Sequence, residues 1–167
     1  MIKRAITPDA ALTRLEELCS RSEQCSYEIM TKLNRWGVAQ SEAKKILLRL
    51  RADKYVDDAR YARAYVRDKF LFSRWGRHKI ALGLMAKRIP RNLIDQAFDE
   101  ELTDEARYFR HLTAIIKSKS RNMPRPIEFD DRQRLLRFGI SRGYETSLVV
   151  KAIKLINTTD DDDSMVD

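Results

Sequence analysis

A helix-ending segment recurs along the chain at intervals of about 51 residues, and this repeat constrains the fold more than any other feature. Leu33–Val38 lies 51 positions before Leu84–Ile89. A third copy can be aligned at 135–140, again 51 positions on, or at Gly143 and Tyr144, 55 positions on. We favour Gly143, because glycine readily ends a helix in a left-handed conformation. The period predicts a tandem array of three similar units.

Each unit carries three segments with apolar residues at helical spacing, so the chain is predicted to be all-α. The small number of helix breakers, 5 Gly and 4 Pro in 167 residues, agrees with helices joined by short turns. In the first unit, helix starts are expected at Thr7 or Asp9, at Ser26 and at Ser41. We place three-helix repeats at residues 1–56, 57–102 and 103–157, followed by a tail at 158–167.

Acidic residues open the second and third units. Asp57 or Asp58 is expected to cap a helix, and residues 103–108 echo residues 57–61. The two aspartates could be read as catalytic carboxylates or metal ligands, but no second acid or histidine motif completes such a site. His78 and His111 each stand alone. We therefore expect no catalytic set, no cofactor and no enzymatic activity.

Two segments are not expected to be helical. Pro124 and Pro126 exclude a continuous helix between the first two helices of the third unit and predict a linker or mobile loop. This loop carries four basic residues and no acid: Lys117, Lys119, Arg121 and Arg125. The tail at 158–167 is acidic and poor in apolar residues, so it is predicted to be disordered.

The charge balance favours an anionic partner. The net charge is +8, and without the five acids of the last eight residues the chain holds 33 basic residues against 20 acidic ones. Nucleic acid and an acidic protein surface both fit this excess. Cys19 and Cys25 are expected to be reduced. Neither a signal peptide nor a membrane span is evident, so we expect a cytoplasmic protein that does not bind membranes.

The middle unit concentrates the basic residues. Residues 67–91 hold eight of them against one acid, Asp68, with Phe70, Phe72 and Trp75 between them. This mixture suits phosphate neutralisation with base stacking. It equally suits an acidic protein groove, or a solvated face over a core that uses Phe70. The sequence leaves these alternatives open.

The middle unit also resembles a known family. The matching residues are Tyr55, Val56, Asp57, Asp58, Arg60, Tyr61, Ala62, Tyr65, Val66, Arg67, Gly76, Ile80, Leu84, Lys87 and Ile89. Together they are similar to the signature of the bacterial recombination regulator family RecX. The resemblance implies an elongated, curved array of three three-helix repeats. It further implies a non-enzymatic protein that binds RecA filaments and restrains their ATPase, strand-exchange and coprotease activities, and thereby modulates recombination and the SOS response.

Contact with RecA or DNA is predicted for the basic residues of this motif and its surroundings. They are Arg60, Arg67, Lys69, Arg74, Arg77, Lys79, Lys87 and Arg88. The expected partner is the RecA filament, with single-stranded or duplex DNA as a secondary partner, and the chain is expected to be monomeric. An alternative hypothesis is an autonomous DNA-binding protein that places a helix in the major groove. Trp75 and Arg88 depart from the family pattern.

Overall fold

A computed structural model of the chain describes residues 6–162, with side chains described for residues 6–158. This part of the chain contains nine α-helices and no strand, which confirms the all-α prediction. The helices are α1 (Pro8–Arg21), α2 (Ser26–Arg35), α3 (Gln40–Ala52), α4 (Asp58–Leu71), α5 (Arg77–Ala86), α6 (Arg91–Glu101), α7 (Glu105–Lys119), α8 (Phe129–Ser141) and α9 (Thr146–Asp162).

The helices α1, α4 and α7 begin in the same way. Thr7, Asp57 and Asp104 each accept a hydrogen bond from the backbone N–H three residues on, at 3.3, 3.0 and 2.8 Å respectively. Such side-chain caps satisfy an N–H that the first turn leaves without a partner. Of the two aspartates considered for α4, Asp57 is therefore the cap. Asp58 instead accepts the N–H of Ser26 at the start of α2, at 2.7 Å.

The helices α2, α5 and α8 also end alike. Gly37, Arg88 and Gly143 have φ angles of 76°, 56° and 91°, in the left-handed region. The next residue donates its N–H to the carbonyl five positions earlier, at 3.1, 3.1 and 3.2 Å. This is the hydrogen bond of a Schellman helix end. Arg88 lies 51 positions after Gly37, and Gly143 lies 55 after Arg88, so the alignment of the third copy at Gly143 is confirmed.

Residue proximity divides the chain into two compact units. Unit 1 takes the residues up to Tyr65 together with Leu84–Ala97, and unit 2 takes Val66–Gly83 together with the residues from Phe98 onward. The division falls inside α4, α5 and α6, whereas the predicted repeats place a boundary between helices. The extents of the three repeats stay predictions.

Each unit has its own apolar core. In unit 1 the core is formed by Ala11, Leu15, Ile29, Leu33, Val38, Ala43, Ile46, Leu50 and Val56. In unit 2 the fully buried side chains include Ile80, Tyr108, Leu112, Ile116, Leu135, Tyr144 and Val149. These positions recur every three or four residues along each helix, because that spacing places side chains on one helical face.

A close backbone approach shapes unit 2. The N–H of Gly76 donates to the carbonyl of Arg142 at 2.8 Å, and the N–H of His78 donates to the carbonyl of Gly143 at 3.0 Å. A Cβ atom at Gly76 would collide with the Gly143 carbonyl group. Since only glycine lacks that atom, Gly76 allows the α4–α5 loop to lie against the α8–α9 turn.

The C-terminal helix differs from the expected tail. The sequence predicts disorder over 158–167, whereas α9 continues to Asp162; residues 163–167 lie outside the described part. Extending a helix that is already formed costs little per residue, which allows α9 to enter the acidic segment. Asn157 accepts the N–H of Ile127 at 3.0 Å, so this end of α9 is held beside the α7–α8 loop. That loop is non-helical from Ser120 to Glu128, as the two prolines predict.

Candidate functional site

Arg60, the first of the predicted contact residues, has internal partners in unit 1. Its guanidinium donates to Glu23 at 2.6 Å and to the carbonyls of Lys54 and Tyr55 at 3.1 and 3.3 Å. The hydrogen bond to Glu23 is the main cause that raises the pKa of Arg60. Arg60 therefore joins α4 to the α1–α2 loop and to the end of α3.

Lys87 and Arg88 lie at the end of α5. The Lys87 ammonium donates to Glu28 at 2.5 Å, and this hydrogen bond raises the pKa of Lys87. The Tyr61 hydroxyl donates to the same carboxylate at 3.4 Å. The Arg88 guanidinium lies 4.9 Å from the ring centre of Tyr27. Both cations thus contact α2, and Lys87 has a carboxylate partner there.

Arg77 is the most extensively bonded of the predicted residues. Its guanidinium is paired with Glu105, donates to the carbonyl of Leu102 at 3.2 Å and lies 4.1 Å from the ring centre of Tyr108. The Tyr108 hydroxyl accepts the backbone N–H of Arg77 at 2.9 Å and donates to Glu145 at 3.0 Å. Burial raises the pKa of Tyr108. These contacts join the start of α5 to α7 and α9 in unit 2.

Three other predicted cations of unit 2 are the exposed Arg67 and the half-buried Lys69 and Lys79. The Arg67 guanidinium forms a bidentate ion pair with Glu101, with N–O distances of 3.0 and 2.7 Å. The Arg67 side chain is nevertheless 55% exposed. Lys69 and Lys79 lie 4.9 and 4.7 Å from the ring centre of Trp75. Trp75, which departs from the family pattern, therefore has two cations within cation–π distance of its ring.

Arg74 is exposed and lies in a cleft of unit 2 that the sequence alone does not locate. Its φ angle of 55° is in the left-handed region. The cleft measures about 390 Å³, and we call it the α7–α8 cleft; it is lined by Arg74, Ile115, Ser118, Lys119, Phe138 and Arg142. Lys119 and Arg142 each lie 5.3 Å from the ring centre of Phe138. One predicted cation is thus grouped with two others around an aromatic ring.

The basic α7–α8 loop extends this cleft. Ser118 also lines a neighbouring depression of about 480 Å³, together with Ala114, Lys117, Arg121 and Arg125. Lys117 and Lys119 lie in the last turn of α7 rather than in the predicted loop, which holds Arg121 and Arg125. Because Ser118 lines both depressions, these cations lie on the same side of unit 2 as Arg74, which the sequence could not decide. The pKa of His111 is lowered, first by burial and then by the positive charges of Arg107, Arg74 and Arg110.

A second cleft lies in unit 1. It measures about 310 Å³, and we call it the α1–α2 cleft; its lining residues are Arg14, Glu17, Leu18, Arg21, Lys32 and Trp36. The Arg14 guanidinium lies 4.9 Å from the ring centre of Trp36. Sequence reasoning missed these cations, because the acids between them in the sequence hide their grouping. Trp36, an aromatic residue directly before the left-handed Gly37, is the sequence feature that could have indicated this site.

The cations of the two clefts differ from Arg60, Arg77 and Lys87 in their pairing. Within residues 6–158, none of the following six cations forms an ion pair: Arg14, Arg21, Lys32, Arg74, Lys119 and Arg142. A cation without a carboxylate partner keeps its charge available to an anion from solution. The clefts are therefore candidate anion-binding sites.

The part of the chain that the structure describes lacks a metal-ligating cluster and a membrane-spanning helix. It contains no group of three or more His, Cys, Asp or Glu side chains that could hold a metal ion. None of its helices combines the length and the apolar character needed to cross a bilayer. Cys19 and Cys25 are free thiols, and burial raises the pKa of both.

Comparison with solved structures identifies the fold. The crystal structure of RecX from Lactobacillus salivarius superposes with a TM-score of 0.79 at 16% identity, covering 90% of this chain and 97% of that one. A second crystal structure of regulatory protein RecX gives a TM-score of 0.75 at 23% identity, covering 88% and 71%.

Comparison with sequences identifies the family. A family model described as RecX, second three-helix domain, matches residues 57–97. Regulatory protein RecX of Thermus thermophilus is 31% identical over 121 residues, which are 72% of this chain and 73% of the relative. The protein of the same name from Vibrio campbellii is 28% identical over 137 residues, covering 82% and 85%. With the helix caps, helix ends and signature residues described above, these matches show that the chain belongs to the RecX family of regulatory proteins.

Proposed function

We propose that this protein binds RecA nucleoprotein filaments and inhibits their ATPase, strand-exchange and coprotease activities without catalysing a reaction itself. It would thereby modulate recombination and the SOS response. Membership of the RecX family is the observation that carries this proposal. The basic excess of the chain supports it, because a filament built on DNA offers a dense array of negative charges.

The geometry narrows the set of residues that would meet the filament. Arg60, Arg77 and Lys87 are held by carboxylates of their own chain, so their first role is to stabilise the two units. Arg74 is exposed and is not held in this way, and Lys79 lies over Trp75 near it in the sequence. We therefore assign filament contact to Arg74 and Lys79 before the others.

The test is RecA-dependent ATP hydrolysis on single-stranded DNA with substoichiometric protein added. The wild-type chain should reduce the rate, and the double variant Arg74→Gln/Lys79→Gln should reduce it less. Lys54→Gln is a matched control, because Lys54 is exposed, is basic and has the same left-handed backbone as Arg74. Undiminished hydrolysis together with no association of the wild-type chain with filaments would overturn the proposal.

The proposal also includes a cytoplasmic location and a monomeric state. Gel filtration with light scattering measures the molar mass and so tests the monomeric state. The hypothesis of an autonomous DNA-binding protein gives a different result. It requires tight, sequence-dependent binding of duplex DNA in the absence of RecA, with no effect of the chain on RecA-dependent hydrolysis.

A further inference from the structure

The two clefts occupy equivalent positions of the repeat. Positions are counted from the N-caps Thr7 and Asp104 for the first helix, and from the left-handed Gly37 and Gly143 for the second helix. On this count four of the six lining residues of each cleft occupy corresponding positions. The pairs are Leu18 with Ile115, Arg21 with Ser118, Lys32 with Phe138, and Trp36 with Arg142. Both clefts thus lie between the first and second helices of a three-helix unit.

The clefts share their chemistry although their residues differ. The α1–α2 cleft has one indole and three cations, Arg14, Arg21 and Lys32. The α7–α8 cleft has one phenyl ring and three cations, Arg74, Lys119 and Arg142. The cation Lys32 corresponds to the ring of Phe138, and the ring of Trp36 corresponds to the cation Arg142. The ring and the cation have thus exchanged positions between the two clefts. The burial of apolar surface does not by itself require three cations and an aromatic ring in the lining of both clefts.

The middle unit provides an internal contrast. Counted from Asp57 and Arg88, the corresponding positions hold Asp68, Leu71, Gly83 and Lys87. This set has no aromatic ring, and its one cation, Lys87, is paired with Glu28. The combination of ring and unpaired cations is therefore a property of the first and third units.

We propose that the two clefts are equivalent binding sites for single-stranded nucleic acid. The cations would contact phosphodiester oxygens, and Trp36 or Phe138 would stack on a base. Clefts of about 310 and 390 Å³ are in the range that holds a nucleotide-sized ligand. Cations along the backbone with aromatic platforms are the general means by which proteins hold single strands without sequence preference. The inference rests on the proposed function and assigns the DNA strand of the filament, rather than RecA itself, to these clefts.

The first experiment measures binding without RecA. Fluorescence anisotropy of a labelled oligothymidylate of about 16 nucleotides reports affinity over a series of salt concentrations. The variants are Arg14→Gln/Arg21→Gln for one cleft and Arg74→Gln/Lys119→Gln for the other, with Lys44→Gln/Lys54→Gln as the control of equal charge. Each cleft variant should lower the salt slope of the affinity by about 1.4, because each lost phosphate contact contributes about 0.7 for single strands.

Affinity at low salt should fall about tenfold in each cleft variant, and the control should bind within about twofold of the wild type. Equal effects of the control and the cleft variants would show that net charge alone matters, and would overturn the proposal. Loss in one cleft variant and none in the other would overturn the equivalence of the sites.

A substitution of opposite sign tests the α1–α2 cleft further. Glu17 lines this cleft beside the three cations, so Glu17→Gln should raise the affinity for the oligonucleotide by about two- to threefold. Glu16→Gln removes the same charge from the neighbouring residue, which does not line the cleft, and should change the affinity less. An equal gain in both variants would contradict local contact.

The aromatic part of the proposal has its own readout. In a Trp75→Phe background Trp36 is the remaining tryptophan, and its emission should be quenched when the oligonucleotide binds. An abasic oligomer of the same length should bind with less quenching. Unchanged Trp36 emission, or equal competition by polyglutamate and by the oligonucleotide, would overturn the assignment of a nucleic-acid ligand.

Failure of this inference and failure of the proposed function give different results. If the cleft variants inhibit RecA-dependent ATP hydrolysis as the wild type does, and the wild type does not bind the oligonucleotide, then the clefts are not the DNA sites and the regulatory function stands. If the oligonucleotide binds as described and hydrolysis is unaffected, the proposed function fails.

Discussion

The cations of the middle motif and the cations of the two clefts are used differently. Arg60, Arg77 and Lys87 have carboxylate partners 28 to 59 positions away in the sequence, and these pairs join one helix to another segment. Arg14, Arg21 and Arg74 have none among the described side chains. The densest basic stretch of the sequence, residues 67–91, therefore holds both kinds of cation: Arg77 and Lys87 are paired, and Arg74 is not.

The reason for this difference is electrostatic. A partly buried cation without a partner is costly, and Arg60, Arg77 and Lys87 each have a carboxylate that offsets this cost. An exposed cation has no such requirement, and its charge remains available to a ligand. Pairing, rather than density along the sequence, separates the cations that stabilise this fold from those that can meet a partner.

Arg77→Ala should have the largest effect on stability. It breaks the pair with Glu105, the bond to the Leu102 carbonyl and the contact with the Tyr108 ring. The Arg77 side chain is 22% exposed and the Glu105 side chain is 70% exposed, so the pair is only partly buried, and its loss together with the carbonyl and ring contacts should cost about 2 kcal/mol. Urea unfolding followed by circular dichroism measures the change.

The exposed Arg74 is the matched comparison for Arg77. Arg74→Gln should change the free energy of unfolding by less than about 0.5 kcal/mol, because it removes no ion pair. Equal losses in the two variants would contradict the division into paired and available cations.

Lys87→Gln should have the second-largest effect, a loss of about 1 kcal/mol. The ammonium donates to Glu28, and the two side chains are 36% and 19% exposed, so the pair is stronger than a fully exposed one. Lys32→Gln, on the neighbouring α2, removes a cation without a carboxylate partner and should leave the urea midpoint nearly unchanged. If Lys32→Gln destabilises the chain as much, Lys32 has a structural role that the pairing pattern does not reveal.

Arg88→Gly distinguishes two effects on stability after the end of α5: the left-handed backbone of residue 88 and the charge of its side chain. A non-glycine residue in the left-handed region is strained by about 1–2 kcal/mol, and glycine removes that strain while adding freedom to the unfolded chain. The free energy of unfolding should therefore rise by about 0.5 kcal/mol. Thermal melts of the variant and the wild type measure this change. Arg88→Ala keeps the strain and should give no gain; a stabilised Arg88→Ala would point to the charge instead.

His111 should produce the smallest effect, and it depends on pH. Burial and the charges of Arg107, Arg74 and Arg110 place its folded pKa below the ordinary value of 6.5. Below pH 6.5 the unfolded chain therefore binds more protons at this residue than the folded chain does. Stability is then fully present above pH 6.5 and declines as the pH falls through the folded pKa.

Urea midpoints between pH 7.5 and 5.5 measure that decline. It should be shallower in His111→Gln, and His78→Gln should retain it because His111 is still present. A pH profile that is identical in His111→Gln and the wild type would show that the cations near His111 create little positive potential.

Much of the fold could be predicted because the signals are local. Thr7 and Pro8, the aspartate before α4 and Gly143 each act within one helical turn, and the structure confirms them. The start of α3 was predicted at Ser41, one residue too late. The helix begins at Gln40, and no side chain caps it. Ala39 holds the cap position there, so the sequence offered no clear marker.

The site was less predictable because its members come from separate helices. Arg74 could be selected from its charge, but its grouping with Lys119 and Arg142 depends on the approach of the α4–α5 loop to the α8–α9 turn. That approach requires Gly76, whose role as a close-contact residue cannot be read from the sequence. Arg77 carried the same charge signal as Arg74 and proved to be paired.

The sequence by itself determined the helices, their three-fold recurrence and the family. Apolar spacing, helix caps and left-handed helix ends are short-range features, and each is encoded by one or two residues. Tertiary structure alone decided which cations would be paired and which would remain available. Ion pairing depends on distances between side chains far apart in the chain, and those distances exist only after the helices have packed.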